Sequence, residues 1–183
     1  MSISTLEELF VHDLSDVYNA EKQITKALPA MARAASSPEL IEAFKSHLEE
    51  TQGQIERLDQ VIESIEGLRL KRMKCHAMEG LVEEAKELID SVEKGEVRDA
   101  GLIAAAQKVE HYEIAAYGTL AALAKKLGYS QAQKLLYETL QEEKSTDEKL
   151  TQIAESATGA GLAHTRNGKT GKSGGEHVRD SLN

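Results

Sequence analysis

The sequence is poor in cysteine and in aromatic residues and has no long apolar run. Small secreted proteins, β-sheet proteins and membrane proteins, respectively, depend on these features. Its single cysteine, Cys75, cannot form an internal disulfide, which fits a reducing compartment. Two prolines, two phenylalanines and no tryptophan leave a core of aliphatic residues and alanine, a composition that favours helices. No apolar run reaches the ~18 residues of a bilayer span, and no signal-peptide pattern opens the chain. We therefore expect an all-α, cytoplasmic protein without a membrane partner.

Basic residues are scarce relative to acidic ones. Lys and Arg total 22, Asp and Glu total 31, and the formal net charge is -9. A general nucleic-acid-binding surface needs an excess of positive charge to displace counterions from phosphates. The composition therefore argues against this class of function, and we expect no nucleic-acid partner.

Helix-start and helix-stop signals predict four long helices and one shorter helix. Ser4 with Glu7 is typical of a capping box, and Ser37 followed by Pro38 is typical of a second helix start. Glycines at positions 67, 95 and 128 stand where helices are expected to end. The first expected helix begins at residue 4, and the second runs from 37 to about 67. The other three cover about 76–94, 97–127 and 131–156.

The connections between these helices predict the architecture. Two short links imply two antiparallel hairpins, and the link between them is long enough to cross a bundle and carries the short helix. This is a ferritin-like antiparallel four-helix bundle with one long helix-containing crossover. Residues 1–157 form the predicted bundle, and residues 158–183, which include six glycines and no periodic apolar pattern, form a predicted disordered glycine-rich tail.

Each long helix carries an acidic residue at or beside its apolar stripe. Glu21, Glu113 and Glu143 interrupt the stripes of the first, third and fourth long helices, and the second has a polar stretch around Glu50. An unpaired buried carboxylate costs several kcal/mol, and neighbouring carboxylates repel each other. The acids therefore indicate either a bound cation or side chains that are rotated to solvent.

The spacing of these residues repeats between the two predicted hairpins. The separations are 92 positions from Glu21 to Glu113, and 93 from Glu50 to Glu143 and from Gln54 to Asp147. Residues four positions apart lie on one face of a helix, so each hairpin presents one acid and a pair of oxygen donors. This repeat favours two divalent cations, which in two-metal sites lie ~4 Å apart.

The chain resembles the YciE/YciF family of bacterial ferritin-like proteins over about residues 3–155. The resemblance lies in the runs HDLSDVYNAEKQ, HLEETQGQIERLDQV, KRMKCHAMEGLVEEA, AAAQKVEHYEIAAYGTLAALA and LQEEKSTDEKLT. It implies a ferritin-like fold, metal binding, a homodimer and a link to stress, with a biochemical activity that is poorly defined. Within the resemblance Glu21, Glu50, Glu113 and Glu143 match the acidic positions of ferritin-like proteins.

The chain departs from the standard di-iron motif, in which histidine follows glutamate by three positions. Gly53 and Thr146 occupy those positions, so Gln54 and Asp147, one residue further on, are the expected replacements. A donor set composed mostly of oxygen suits iron or manganese.

His47 and Glu110 are further candidate ligands, because each lies one turn before a predicted ligand. The repeat partner of His47 is Leu140, however, so His47 is alternatively a core histidine beside the site, and Glu110 is alternatively a hydrogen-bond acceptor. Tyr18 and Tyr117 flank the acids, either as hydrogen-bond donors to them or as core-filling side chains.

Three functions remain open from the sequence. The first is a di-metal oxidoreductase of the ferroxidase or peroxide type, in which two iron or manganese ions react with oxygen or peroxide. The second is metal binding or storage without catalysis. The third is a helical interaction protein whose polar layer fixes the register of its helices.

Overall fold

The structure, a computed structural model, describes the backbone of residues 3–167 and the side chains of residues 3–156. The described chain contains five α-helices and no strand, which confirms the predicted all-α class. The helices are α1 (Leu6–Ala34), α2 (Pro38–Glu63), α3 (His76–Ser91), α4 (Glu96–Leu127) and α5 (Ser130–Asn167). No helix in this part of the chain is long and apolar enough to cross a membrane.

The helix ends differ from the predicted ones by a few residues. The capping box of α1 is formed by Thr5 and Glu8, one position later than expected. In this box Thr5 Oγ1 accepts the N–H of Glu8. The second helix ends at Glu63 and the crossover helix at Ser91, both before the glycines that suggested their ends. The left-handed backbone of Gly67, with φ of 77°, lies in the turn that follows α2.

The last helix continues beyond its predicted end. α5 extends to Asn167, whereas the apolar periodicity ended at Ser156. Residues 168–183 lie outside the described residues. The division into a bundle over 1–157 and a tail over 158–183 therefore stays a prediction.

The helices pack as a bundle. α1 contacts α2 and α4, α5 contacts α2 and α4, and the crossover helix α3 lies against α1 and α4. Three residues join α1 to α2 and two join α4 to α5, so the chain turns back sharply at both points. Asp99 of α4 secures the first of these turns, because its carboxylate accepts the backbone N–H groups of Ser36 and Ser37 at 2.8 and 2.7 Å.

The crossover is attached to the bundle at its cysteine. Asn19 Oδ1 accepts the N–H of Cys75 at 2.8 Å, and Gln23 Nε2 donates to the Cys75 carbonyl at 2.9 Å. Tyr112 Oη donates to Asp16 at 2.6 Å and lies 3.2 Å from the buried Cys75 Sγ. These contacts place the start of α3 against α1 and α4.

The apolar core is divided into two clusters. One contains Leu28, Phe44, Leu102 and Leu150, and the other contains Leu14, Leu58, Leu120 and Leu136. On each of the four long helices the change from one cluster to the other occurs near its middle. Eight of the buried polar side chains lie at this change and form a polar layer across the bundle: Glu21, His47, Thr51, Gln54, Glu110, Glu113, Glu143 and Thr146.

Candidate metal centre

Four buried side chains of the polar layer converge from three helices. His47 of α2, Glu110 and Glu113 of α4, and Glu143 of α5 each offer one ligand atom, and these atoms lie within 4.8 Å of one another. Glu110 and Glu113 converge because residues three positions apart share a helix face. The group has the composition and the geometry to hold a metal ion.

Most polar atoms of this group receive no hydrogen bond from an N–H or hydroxyl group. Among the described side chains, no such donor reaches either carboxylate oxygen of Glu113 or Glu143, and neither ring nitrogen of His47 has a partner. Among the same side chains, Glu143 contacts only the carboxyl group of Glu110 within hydrogen-bonding range, and Glu113 only that of Glu21. The Nε2 atom of His47 lies 3.5 Å from Glu110 Oε1 and forms no hydrogen bond. Buried polar groups are normally hydrogen-bonded, so a cluster of unpaired acceptors requires a cation or protons to be stable.

Glu21 joins this layer from α1. Its side chain is fully buried, and its Oε1 atom accepts a hydrogen bond from the Tyr117 hydroxyl. No N–H or hydroxyl group in the described part of the chain donates to its Oε2 atom, and its carboxyl group lies within hydrogen-bonding range of that of Glu113. Of the two tyrosines that the sequence left open, Tyr117 is therefore a donor to the acidic layer, whereas Tyr18 donates to Asp59 at 2.9 Å.

Burial dominates the protonation of these acids. It is the largest of the effects that together raise the pKa of Glu21 to about 7 and that of Glu110 to about 8. Hydrogen bonds with Tyr117 and Glu113 oppose this rise at Glu21, and one with Glu143 opposes it at Glu110. Burial and the charges of the other acids also raise the pKa of Glu113 and Glu143 well above the ordinary value. Without a cation the layer therefore retains protons near neutral pH.

His47 is neutral in the same environment. Burial, with a smaller contribution from the charge of Lys149, lowers the pKa of His47 to about 4. A neutral imidazole keeps one unprotonated ring nitrogen, which is the form that binds metals. The structure thus brings His47 into the group, although the hairpin repeat argued against it.

Two of the three remaining predicted ligands, Glu50 and Asp147, lie at the edge of this layer. Glu50 is half-buried, accepts a hydrogen bond from Thr146 at 3.2 Å and lies 3.6 Å from Lys149 Nζ. Asp147 is also half-buried, and its Oδ1 atom lies 3.4 Å from His111 Nε2. Each of these carboxylates thus already has a polar neighbour near the surface.

Gln54 is buried but does not mirror Asp147. Its Nε2 atom donates to Glu142 at 3.1 Å, while its Oε1 atom has no partner among the described residues. This buried oxygen is therefore available as a donor to a cation. The two hairpins repeat in sequence without placing their corresponding side chains in equivalent surroundings.

Arg57 and Glu142 form a contact beside the layer that the sequence analysis missed. Two N–H groups of Arg57 donate to the two carboxylate oxygens of Glu142, each at 2.8 Å, and a third bond reaches Thr139 at 2.9 Å. This bidentate pair joins α2 to α5 and holds Glu142 where it accepts from Gln54. Each residue is one of many charged residues on its helix, so no sequence signal distinguished them.

Comparison with known proteins places the chain in a family. The model of the family described as "Domain of unknown function (DUF892)" matches residues 5–163. Protein YciF of Escherichia coli K12 is 66% identical over 154 residues, which cover 84% of this chain and 93% of YciF.

Solved structures agree with this assignment. The crystal structure of the E. coli stress protein YciF superposes with a TM-score of 0.84 at 64% identity, over 86% of this chain and 99% of the chain in that crystal structure. YcfI from Rhodopseudomonas palustris matches with a TM-score of 0.77 at 48% identity, over 82% of this chain and 95% of that one. A Xanthomonas campestris protein matches with a TM-score of 0.69 at 25% identity, over 88% and 99% of the two chains. The resemblance to the YciE/YciF family is confirmed, and the chain belongs to the DUF892 family together with YciF.

Proposed function

We propose that this protein is a cytoplasmic, ferritin-like four-helix bundle that binds two iron or manganese ions in its buried polar layer. The observation that carries the proposal is the set of buried, unpaired acceptor atoms on His47, Glu113 and Glu143. Three buried carboxylates and a neutral imidazole within 4.8 Å of one another are costly in a metal-free core, and a divalent cation offsets that cost.

The donor set fits the proposed ions. Carboxylate oxygens with one imidazole nitrogen suit iron and manganese better than a thiolate-selective metal. His47, Glu110, Glu113 and Glu143 would hold one ion, and Glu21, Glu50, Gln54 and Asp147 are the oxygen donors available for a second. Such ions, when bound, supply Lewis-acid and one-electron redox chemistry.

The chain's own groups supply the rest of the site. The hydroxyl of Tyr117 holds one oxygen of Glu21 and leaves the other free for a ligand. The apolar clusters on either side of the layer exclude bulk water, which strengthens electrostatic attraction to a cation. Arg57 pairs with Glu142 at the border and opposes its effect on the layer, because Glu142 raises the pKa of Glu21 and Arg57 lowers it.

Elemental analysis of protein purified without added metal tests the proposal. We expect iron or manganese close to two ions per chain in the wild type and a large loss in the double variant Glu113→Gln, Glu143→Gln. The exposed Glu148→Gln on the same helix as Glu143 is the matched control and retains the metal. A folded wild-type protein that stays metal-free after incubation with Fe²⁺ or Mn²⁺ would refute metal binding.

Reactivity separates the two metal-dependent functions. We propose that the loaded centre reacts with oxygen or peroxide, as an oxidoreductase would. Consumption of either oxidant by loaded wild-type protein, absent in the Glu113→Gln, Glu143→Gln variant, supports this activity. Stable metal binding without consumption of either oxidant instead assigns storage.

We also extend two properties of relatives to this chain. The E. coli relative is described as a stress protein, and we propose a stress-linked role here. The family resemblance favours a homodimer, which light scattering of the purified full-length chain measures directly. A monomeric mass at micromolar concentration would contradict the dimer.

A further inference from the structure

An apolar cavity of about 60 Å³ lies beside the candidate metal centre. Most of its wall consists of aliphatic and aromatic side chains of the first core cluster. They include Ile24, Leu28, Met31, Phe44, Ala106 and Leu150. Side chains of α3 complete the wall, so the crossover helix closes a space that the four long helices leave between them.

The polar residues of the wall connect solvent with the polar layer. Ser46 and Lys149 line the cavity and are exposed, whereas His47 and Glu110 line it and are buried. The last two belong to the group of candidate ligands. The cavity therefore extends from the protein surface to one side of that group.

The size and polarity of the cavity select a class of occupant. Its volume exceeds the ~10–15 Å³ that one water molecule requires and is well below the ~150 Å³ of an apolar cavity that binds benzene. Water between mainly aliphatic walls finds few of the polar partners it needs, whereas a small nonpolar molecule there gains dispersion contacts with the surrounding side chains. A diatomic gas satisfies both conditions, whereas an aromatic or long-chain substrate is too large.

We propose that this cavity is a binding site for dioxygen that opens onto His47 and Glu110. The binding of the gas depends only on the cavity and is expected in the metal-free protein. The consequence, delivery of dioxygen to bound metal, rests on the function proposed above.

Methyl NMR of the metal-free, full-length protein tests the proposal with dissolved dioxygen as the probe. Dioxygen is paramagnetic, so methyl groups beside a bound molecule relax faster. We expect a several-fold larger relaxation enhancement for Leu28 and Leu150, which line the cavity, than for Leu14 and Leu136, which are equally buried in the other cluster. Xenon, an inert probe, should produce saturable shifts at the same methyl groups. Equal enhancements in the two clusters, or no saturable shift with xenon, would overturn the proposal.

Two substitutions on α4 give a matched comparison. Ala106 is buried and lines the cavity, whereas Ala104 is exposed two residues away. We expect Ala106→Leu to fill the cavity and abolish the enhancement at Leu28 and Leu150, and Ala104→Leu to preserve it. An unchanged enhancement in folded Ala106→Leu would overturn the assignment. If Ala106→Leu does not fold, the wild-type comparison of the two clusters decides.

The metal content of the same samples separates the two proposals. Gas binding in a wild-type protein that takes up no metal supports the cavity site and refutes the metal centre. Metal uptake without a localised dioxygen effect refutes the cavity site and leaves the metal centre standing. Metal-loaded Ala106→Leu should keep its ions but consume dioxygen several-fold more slowly than Ala104→Leu.

Discussion

The Tyr117 hydroxyl of α4 donates a hydrogen bond to Oε1 of Glu21 on α1, and both side chains are completely buried. The bond joins residues 96 positions apart and holds one carboxylate oxygen of the polar layer. It also opposes the effect of burial, because a hydrogen bond to the charged form lowers the pKa of Glu21. The pair therefore connects the packing of two helices with the protonation of the candidate metal centre.

Removing this hydroxyl should affect both stability and titration. We expect Tyr117→Phe to lower the free energy of unfolding of metal-free protein by about 1–3 kcal/mol, since it leaves a buried acceptor unpaired. The pKa of Glu21 should rise above about 7. Denaturant unfolding and carboxyl ¹³C NMR measure these effects. Tyr18→Phe, which removes a bond to Asp59 near the surface, is the control and should change stability by less than about 0.5 kcal/mol.

The raised pKa values predict how the stability of metal-free protein depends on pH. Glu21 and Glu110 bind protons more tightly in the folded state, with pKa values of about 7 and about 8, than in the unfolded chain. Their protons therefore stabilise the folded state at low pH, and this contribution is lost as pH rises to about 8. His47 has the opposite effect, because its pKa is lowered to about 4 in the folded state. It makes the folded state less stable as pH falls, but only below its ordinary pKa near 6.5.

Between about pH 6.5 and 8, Glu21 and Glu110 alone therefore decide whether the free energy of unfolding rises or falls with pH. We expect the free energy of unfolding of metal-free protein to fall over this range, by up to about 1.4 kcal/mol per pH unit for each titrating group. Urea unfolding at half-unit pH intervals measures the slope. Saturating metal should remove or reverse it, because cations compete with protons for the same oxygens. A metal-free stability that rises with pH over this range would contradict the assignment of these protons.

Replacing two buried acids by leucine distinguishes a metal site from a layer that only fixes helix register. In the Glu21→Leu, Glu113→Leu variant we expect metal-free stability that is unchanged or higher by about 1–4 kcal/mol, since apolar residues replace costly buried polar groups. If these acids bind metal, the variant should also lose its ions, and chelator should no longer lower its melting temperature by several degrees.

The exposed pair Glu49→Leu, Glu148→Leu controls for the change in charge and hydrophobicity on the same bundle. It should keep both the metal and the response to chelator. Full metal occupancy in Glu21→Leu, Glu113→Leu would remove both residues from the site and refute the symmetric two-metal arrangement.

Asp99 provides a test of the fold that is independent of the metal. Asp99→Ala leaves the N–H groups of Ser36 and Ser37 without their acceptors, so we expect a loss of about 1–3 kcal/mol in the free energy of unfolding. Asp90→Ala, an exposed position on α3, is the control and should be nearly neutral. Metal content should not change in either variant, because Asp99 lies about 16 Å along α4 from Glu110.

The sequence by itself determined the helical class, the approximate helix boundaries and the position of three acids at the apolar stripes of their helices. Periodic apolar residues define the inner face of each helix, and Glu21, Glu113 and Glu143 occupy that face. These inferences succeed because helix formation and the burial of a face depend on residues within a few turns of one another. The start of α1 was misplaced by one residue because the adjacent Ser4 and Thr5 can both act as caps. The ends of α2 and α3 were placed too late because Gly67 and Gly95 lie four positions beyond them, and Gly95 instead caps the start of α4.

Only the tertiary structure decided which side chains meet. His47 joins the buried group although its repeat partner is a leucine, whereas Glu50 and Asp147 lie at the half-exposed edge. Gln54 is directed toward Glu142 by a contact that the repeat does not encode. The cavity beside His47 likewise exists because α3 covers a space between other helices. Coordination distances depend on how each helix is rotated and shifted against its neighbours, and that arrangement results from the packing of the whole core.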